Sequence, residues 1–164
     1  MFNLKVESYL KFIFIISLIS IISAYYIEYI LGHRPCSLCL IQRIPYLLAI
    51  ILTVINFLSK NNEKFILILL ILVFLFSFLL SVYHYGIENG FFEESLMCSL
   101  KNSTSILSKE DLLKELNEKI VSCKDVTFRI FGFSLTTINI IISLFLTIIL
   151  TKIFLNYGKF KNQN

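Results

Sequence analysis

The sequence predicts an all-α membrane protein: a four-helix transmembrane bundle whose outer loop carries a short amphipathic helix. Three observations lead there. The 164 residues are 57% hydrophobic with mean hydropathy +0.80, above the roughly 45–50% apolar content of soluble domains. Only 16% are charged, against about 25% in a soluble domain. The charges cluster, leaving four apolar runs near the length of about 20 residues that a bilayer core asks of a helix. Residues 1–164 therefore read as one membrane domain in a lipid bilayer. The formal charge of +4 is not gathered into a basic stripe with interleaved aromatics, so nucleic acid is not an expected partner.

The first span is 12–30, nineteen residues behind Lys5 and Lys11. It exceeds the roughly 7–15 residues of a signal-peptide core, so it reads as a retained span. The second contains an apolar run of fifteen residues, 44–58, short for a crossing. Starting it at Leu38 gives span 38–58 and takes Gln42 and Arg43 into the membrane boundary. Pro45 then sits in the first helical turn or kinks a longer helix; the sequence leaves both open. The third span is 65–83 and the fourth 130–151, with the outer loop at 84–129 between them. In that loop Ser108 and Asp111 make a capping-box-like start, and Leu107 and Leu112 take the staple positions. Leu112, Leu116 and Ile120, with Leu113 beside them, make one apolar stripe. Such a helix lies on the bilayer surface or packs its stripe against the loop's own residues.

An even number of spans puts both termini on one side. That side carries seven Lys and Arg residues, and the other carries eight in roughly twice the chain length. Positive density therefore favours cytoplasmic termini. With that orientation Cys36, Cys39, Cys98 and Cys123, all between apolar runs, lie outside the cytoplasm, where disulfides persist. An even cysteine count confined to loops reads as redox or metal chemistry. If helical, Cys36 and Cys39 share a face about 4.5 Å apart along the axis, and a helix start stabilises a thiolate. Arg43, four residues beyond Cys39, shares that face if the helix is continuous; its bland alternative is an arginine snorkelling from a span end. A four-cysteine zinc site usually shows two close pairs, whereas Cys98 and Cys123 are separated by twenty-four residues, so no metal is expected. Structural disulfides are a second alternative, although a C-x-x-C ring constrains an unfolded chain poorly. His84 and Glu88, four apart at the outer end of span three, can face each other or serve as interfacial anchors. Glu28 is placed to pair with Arg34 or Arg43.

Together these segments resemble the bacterial disulfide bond formation protein B (DsbB) family. Residues 34–46, R-P-C-S-L-C-L-I-Q-R-I-P-Y, are similar to its P-C-x-x-C-x-x-x-R signature. Residues 83–88, Y-H-Y-G-I-E, and 123–134, C-K-D-V-T-F-R-I-F-G-F-S, are similar to two further family segments. Phe128 and Ile138 stand where tryptophans are common, and Ile87 replaces a valine. The resemblance implies a thiol:quinone oxidoreductase of the bacterial inner membrane, with its cysteines on the periplasmic side. It implies that Cys98–Cys123 meets a DsbA-like thioredoxin-fold thiol oxidase. It implies that Cys36–Cys39 meets a membrane quinone, ubiquinone or menaquinone. All four cysteines are then catalytic, and Arg43, His84 and Glu88 are candidates for holding the quinone. Thiol–disulfide exchange would run from the partner to Cys98, from Cys123 to Cys36, and from Cys39 to the quinone. Competing readings are a vitamin K epoxide reductase-like oxidoreductase, which the Cys-to-Arg spacing disfavours, and a non-catalytic membrane scaffold with structural disulfides.

Overall fold

The computed structural model describes residues 2–59, 62–93, 123, 129–130 and 132–161. Its elements are α1 (Phe2–Tyr29), α2 (Ser37–Ile41), α3 (Arg43–Leu58), α4 (Glu63–Glu88), β1 (Arg129–Ile130), β2 (Phe133–Ser134) and α5 (Leu135–Lys161). Among the described residues, four stretches are long and apolar enough to cross a membrane: Val6–Tyr29, Ser37–Leu58, Glu63–Glu88 and Leu135–Tyr157. The chain is thus a multi-pass helical membrane protein. The expected amphipathic helix at 108–120 and Cys98 lie outside the described residues.

Each boundary has a local cause. After α1, Gly32 takes a left-handed φ of 72°, which lets the chain turn and the His33 N–H reach the Ile27 carbonyl at 3.2 Å. Pro45 brings no N–H to bond Ile41, and its ring crowds that carbonyl. The second span accordingly breaks at Gln42, which caps both α2 and α3. Pro45 thus sits in the first turn of α3, and a short helix also precedes it. The path from Cys39 to Arg43 crosses that break, so a shared helical face does not follow from their spacing.

The third helix runs beyond the expected end at Tyr83, through Glu88. His84 and Glu88 therefore belong to its last turns and not to the outer loop, because both find partners inside the bundle. The fourth helix begins at Leu135, not at Ile130. Residues 129–130 instead pair antiparallel with 133–134, around Gly132 with φ 87°. Ser134 caps the following helix by accepting the Thr137 N–H at 3.3 Å.

The main core joins α1 (Leu10, Ile13), α3 (Tyr46, Ala49), α4 (Leu70, Phe74) and α5 (Leu146, Leu150). A second cluster of Cys36, Leu38, Ile87 and Cys123 sits at the other end. The outer faces are apolar, with Ile19, Ile51, Leu72 and Phe145 all more than half exposed, as lipid contact requires. Polar side chains point inward instead: Ser17, Thr53, Ser77, Ser81 and Ser143 have no exposure at all. Lipid gives no hydrophobic drive for helix association, so small residues and interhelical hydrogen bonds set the packing.

Candidate functional site

Cys36 sits at the N-cap of α2 with extended backbone, and its sulfur accepts the Cys39 N–H at 3.4 Å. This turn is what brings the two sulfurs of the C-x-x-C to 3.0 Å, where they share a hydrogen bond. Both thiols are free; Cys36 is buried and Cys39 half-buried. Cys36 lies just outside the span that begins at Ser37. Its thiol is held well below the ordinary thiol range, chiefly by the hydrogen bond shared with Cys39; His84 adds to this, while burial opposes it.

His84 of α4 is 2% exposed. Its Nε2 lies 3.6 Å from the Cys36 sulfur and its Nδ1 lies 3.5 Å from Thr136 Oγ1 of α5. The Thr136 hydroxyl donates to Glu88 Oε1 at 2.5 Å, and Ser134 Oγ donates to Glu88 Oε2 at 2.8 Å. With its hydrogen committed to Glu88, Thr136 Oγ1 offers only a lone pair to His84. His84 therefore donates its Nδ1–H to Thr136; as a neutral imidazole it turns the Nε2 lone pair toward Cys36, and once it takes the thiol proton Nε2 becomes a donor that holds the thiolate.

Arg43 does not stretch toward the surface. It donates to Glu28 Oε2 at 2.6 Å, and the two side chains are only 13% and 23% exposed. It also reaches the Ala24 carbonyl at 3.5 Å, and its guanidinium lies 4.9 Å from the Tyr25 ring centre. Of the two partners expected for Glu28, Arg43 is the one it ion-pairs.

These groups border one cavity of about 320 Å³, lined by α1, the 33–36 connector, α2, α3, α4, α5 and Cys123. Cys36, Cys39, Arg43, His84, Glu88 and Cys123 all line it, so six of the seven expected site residues meet there. Cys98 lies outside the described residues. Cys123 is disulfide-bonded and packs in the buried cluster with Cys36. The wall is mostly apolar, including Ile27, Ile138 and Ile142; Ile19 both lines it and faces the lipid side.

Sequence reasoning missed Thr136, Asn139 and Tyr46. Tyr46 donates to Asn139 Oδ1, and Asn139 Nδ2 donates to Ser81 Oγ at 2.7 Å, which closes the inner side of the cavity. The available signal was the recurrence of polar residues at 136, 139, 143 and 147 along an otherwise apolar span. That is the spacing of one helical face. The sequence also weighed metal ligation through cysteines alone. The fold adds a third donor, because the sulfurs of Cys36 and Cys39 and a ring nitrogen of His84 lie within 4.8 Å of one another.

Comparison with known proteins gives the chain's family. Residues 7–153 match the family model described as Disulfide bond formation protein DsbB. An uncharacterized protein of Rickettsia prowazekii (strain Madrid E), RP370, is 32% identical over 139 residues, covering 82% of this chain and 80% of that one. No solved structure matches. A family match spanning nearly the whole chain, together with a C-x-x-C at the mouth of a helical membrane bundle, establishes the assignment: the chain belongs to the DsbB family of membrane oxidoreductases of disulfide bond formation.

Proposed function

We propose that this chain reoxidises a DsbA-like thiol oxidase and passes the electrons to a membrane quinone. It would act in the bacterial inner membrane, with cytoplasmic termini and periplasmic cysteines. The observation that supports this most is the shared cavity. It joins a C-x-x-C, a third cysteine in disulfide form, a pinned arginine and a buried histidine, and one wall faces lipid.

A quinone fits the donor set. Its flat apolar ring and tail suit a mostly apolar cavity at the lower end of the ligand-pocket range of about 300–1,000 Å³. Its oxygens suit the guanidinium of Arg43, while the His84 ring nitrogen is placed to take a thiol proton, both residues being on the lining. A bound quinone supplies the oxidising power, accepting an electron pair and protons. The protein's own part is thiol–disulfide exchange. The partner's thiolate attacks Cys98, which breaks Cys98–Cys123 and frees the Cys123 thiolate. Cys123 attacks Cys36, its neighbour in the buried cluster; the Cys36–Cys39 bond breaks and Cys39 leaves as a thiolate. The partner's second thiol resolves its mixed bond and departs oxidised, leaving Cys98 as a thiolate. Attack of Cys98 on the Cys36–Cys123 bond restores the outer disulfide and leaves Cys36 and Cys39 reduced. The electron pair has then moved from the partner to the inner cysteines, and Arg43 and His84 face it with positive charge and a proton acceptor.

The test mixes purified protein with a reduced DsbA-like protein and either ubiquinone or menaquinone, following quinone absorbance and partner thiols together. Quinone loss should match partner oxidation mole for mole with at least one of the two. Partner thiols that persist while neither quinone is consumed would overturn the reading.

A further inference from the structure

We infer that Cys36, Cys39 and His84 form a site for a thiophilic divalent cation of the zinc and cadmium class, open only when the two thiols are reduced. Resting on the proposed function, such an ion would also hold the pair out of its redox cycle.

The geometry carries this. Tetrahedral zinc with bonds of about 2.3 Å to sulfur and 2.0–2.1 Å to nitrogen sets a sulfur–nitrogen separation of about 3.6 Å. The Cys36 sulfur and His84 Nε2 lie 3.6 Å apart. Two zinc-bound sulfurs sit about 3.8 Å apart, against 3.0 Å here. The Cys39 sulfur also lies within 4.8 Å of the His84 ring nitrogen, so to complete the tetrahedron the half-buried Cys39 side chain has to shift to about 3.8 Å from the Cys36 sulfur and about 3.6 Å from that nitrogen. His84 is already turned as a ligand, because Thr136, itself held by Glu88, takes its far nitrogen and leaves Nε2 toward the sulfurs. Metal-bound histidines characteristically have such a second partner behind the ring. Glu88 itself is not a natural ligand here, since Ser134 and Thr136 occupy its two oxygens.

Charge and softness select the ion. Two thiolates, a neutral imidazole and a divalent cation sum to zero, and a neutral complex suits a buried site at a membrane boundary. Hard cations such as magnesium and calcium prefer oxygen ligands. The remaining tetrahedral position faces the cavity, as in three-ligand zinc sites with one open place. No electron moves: the cation replaces whatever thiol protons remain, and these go to water. The oxidised pair has no thiolate to offer, so occupancy follows redox state.

The test uses full-length protein in detergent, with Cys98→Ser and Cys123→Ser to silence the other pair, kept reduced by a phosphine. Cadmium chloride is added while the ultraviolet thiolate-to-metal band and chelator competition are followed. One ion per chain is expected, with no band in oxidised protein. Cys36→Ser and Cys39→Ser should lose the band. Thr136→Val, which leaves all three ligands in place, should weaken binding about 10- to 100-fold. A band that survives Cys36→Ser, or unchanged affinity in both His84→Gln and Thr136→Val, would overturn the site. Neither partner nor quinone enters this measurement, so its outcome is separate from that of the proposed function. In the native-cysteine protein, zinc chloride should stop quinone turnover and a chelator should restore it. Turnover unaffected by zinc at concentrations that fill the site would overturn the inhibitory role alone.

Discussion

Arg43 is the residue whose substitution separates the cavity's chemistry from its construction. Its guanidinium lies on the cavity wall and is fixed from behind by Glu28 at 2.6 Å. Replacement by alanine removes two things at once: the donor facing the cavity and the partner of Glu28. A charge-assisted hydrogen bond contributes roughly 1.5–3 kcal/mol, or about ten- to a hundredfold in quinone affinity or rate. Loss of Glu28's partner acts on folding. A fully buried pair broken on one side costs about 3–5 kcal/mol, and this partly exposed one less. Glu28→Gln keeps the arginine but loosens its anchor, so it should lower turnover by less than Arg43→Ala. Arg43→Lys keeps the charge but not the planar fork that serves Glu28 and the cavity together, and should fall between wild type and alanine. The assay is quinone reduction across quinone concentration, normalised to folded protein by size exclusion, with thermal unfolding run in parallel. Equal turnover in wild type, Arg43→Lys and Arg43→Ala would refute the role and leave Arg43 as a helix-to-helix tie.

Further outcomes follow from the same geometry. Cys39→Ala should abolish quinone reduction, whereas Cys98→Ala should abolish the mixed disulfide with the partner yet leave Cys36–Cys39 able to form; thiol trapping on gels reads both. The Cys36 thiol is held below the ordinary range of about 8.5, so in the reduced protein its ultraviolet thiolate absorbance should persist as pH falls through and well below that range. A thiolate signal lost near the ordinary value would contradict the Cys36–Cys39–His84 arrangement. Gly86→Ala should displace the half-exposed Phe92 ring, which lies where the new β-carbon would go, and so lose most of the gain of about 1 kcal/mol that alanine brings to a helix interior. In a Phe92→Ala background the same Gly86→Ala substitution should show that gain in thermal stability, and an equal effect in both backgrounds would count against the contact.

How much could be read from sequence depended on whether the information was local. Hydropathy located all four spans, because a lipid-exposed helix must be apolar over its whole length whatever it packs against. The C-x-x-C with Arg43 was equally local, and so was the pairing option for Glu28. The ends of helices were not. Whether Tyr83 or Glu88 closes the third helix depends on Ser134 and Thr136, some fifty residues away, accepting the burden of Glu88's charge. Thr136 and Asn139 were invisible for a related reason. A threonine or asparagine in an apolar span signals that it faces inward, but not which partner it meets. The nearness of His84 to the thiols likewise arises only when α4 packs beside α2, which no spacing along the chain encodes.

The polar bonds of this end of the bundle serve construction and cavity together. Glu28–Arg43 joins α1 to α3, Tyr46–Asn139 joins α3 to α5, and Thr136–Glu88 with Asn139–Ser81 joins α5 to α4. In lipid these bonds set helix register, which apolar packing alone specifies weakly. Arg43, Tyr46, Glu88, Thr136 and Asn139 also line the cavity, so the same side chains determine its shape. The opposite end relies on Leu10, Ile13, Leu146 and Leu150, whose replacement changes packing without touching the thiols. A substitution there should therefore lower thermal stability and leave turnover per folded molecule intact. One among the polar ties should change both. That contrast identifies the cavity end as the part of the bundle where stability and chemistry are inseparable.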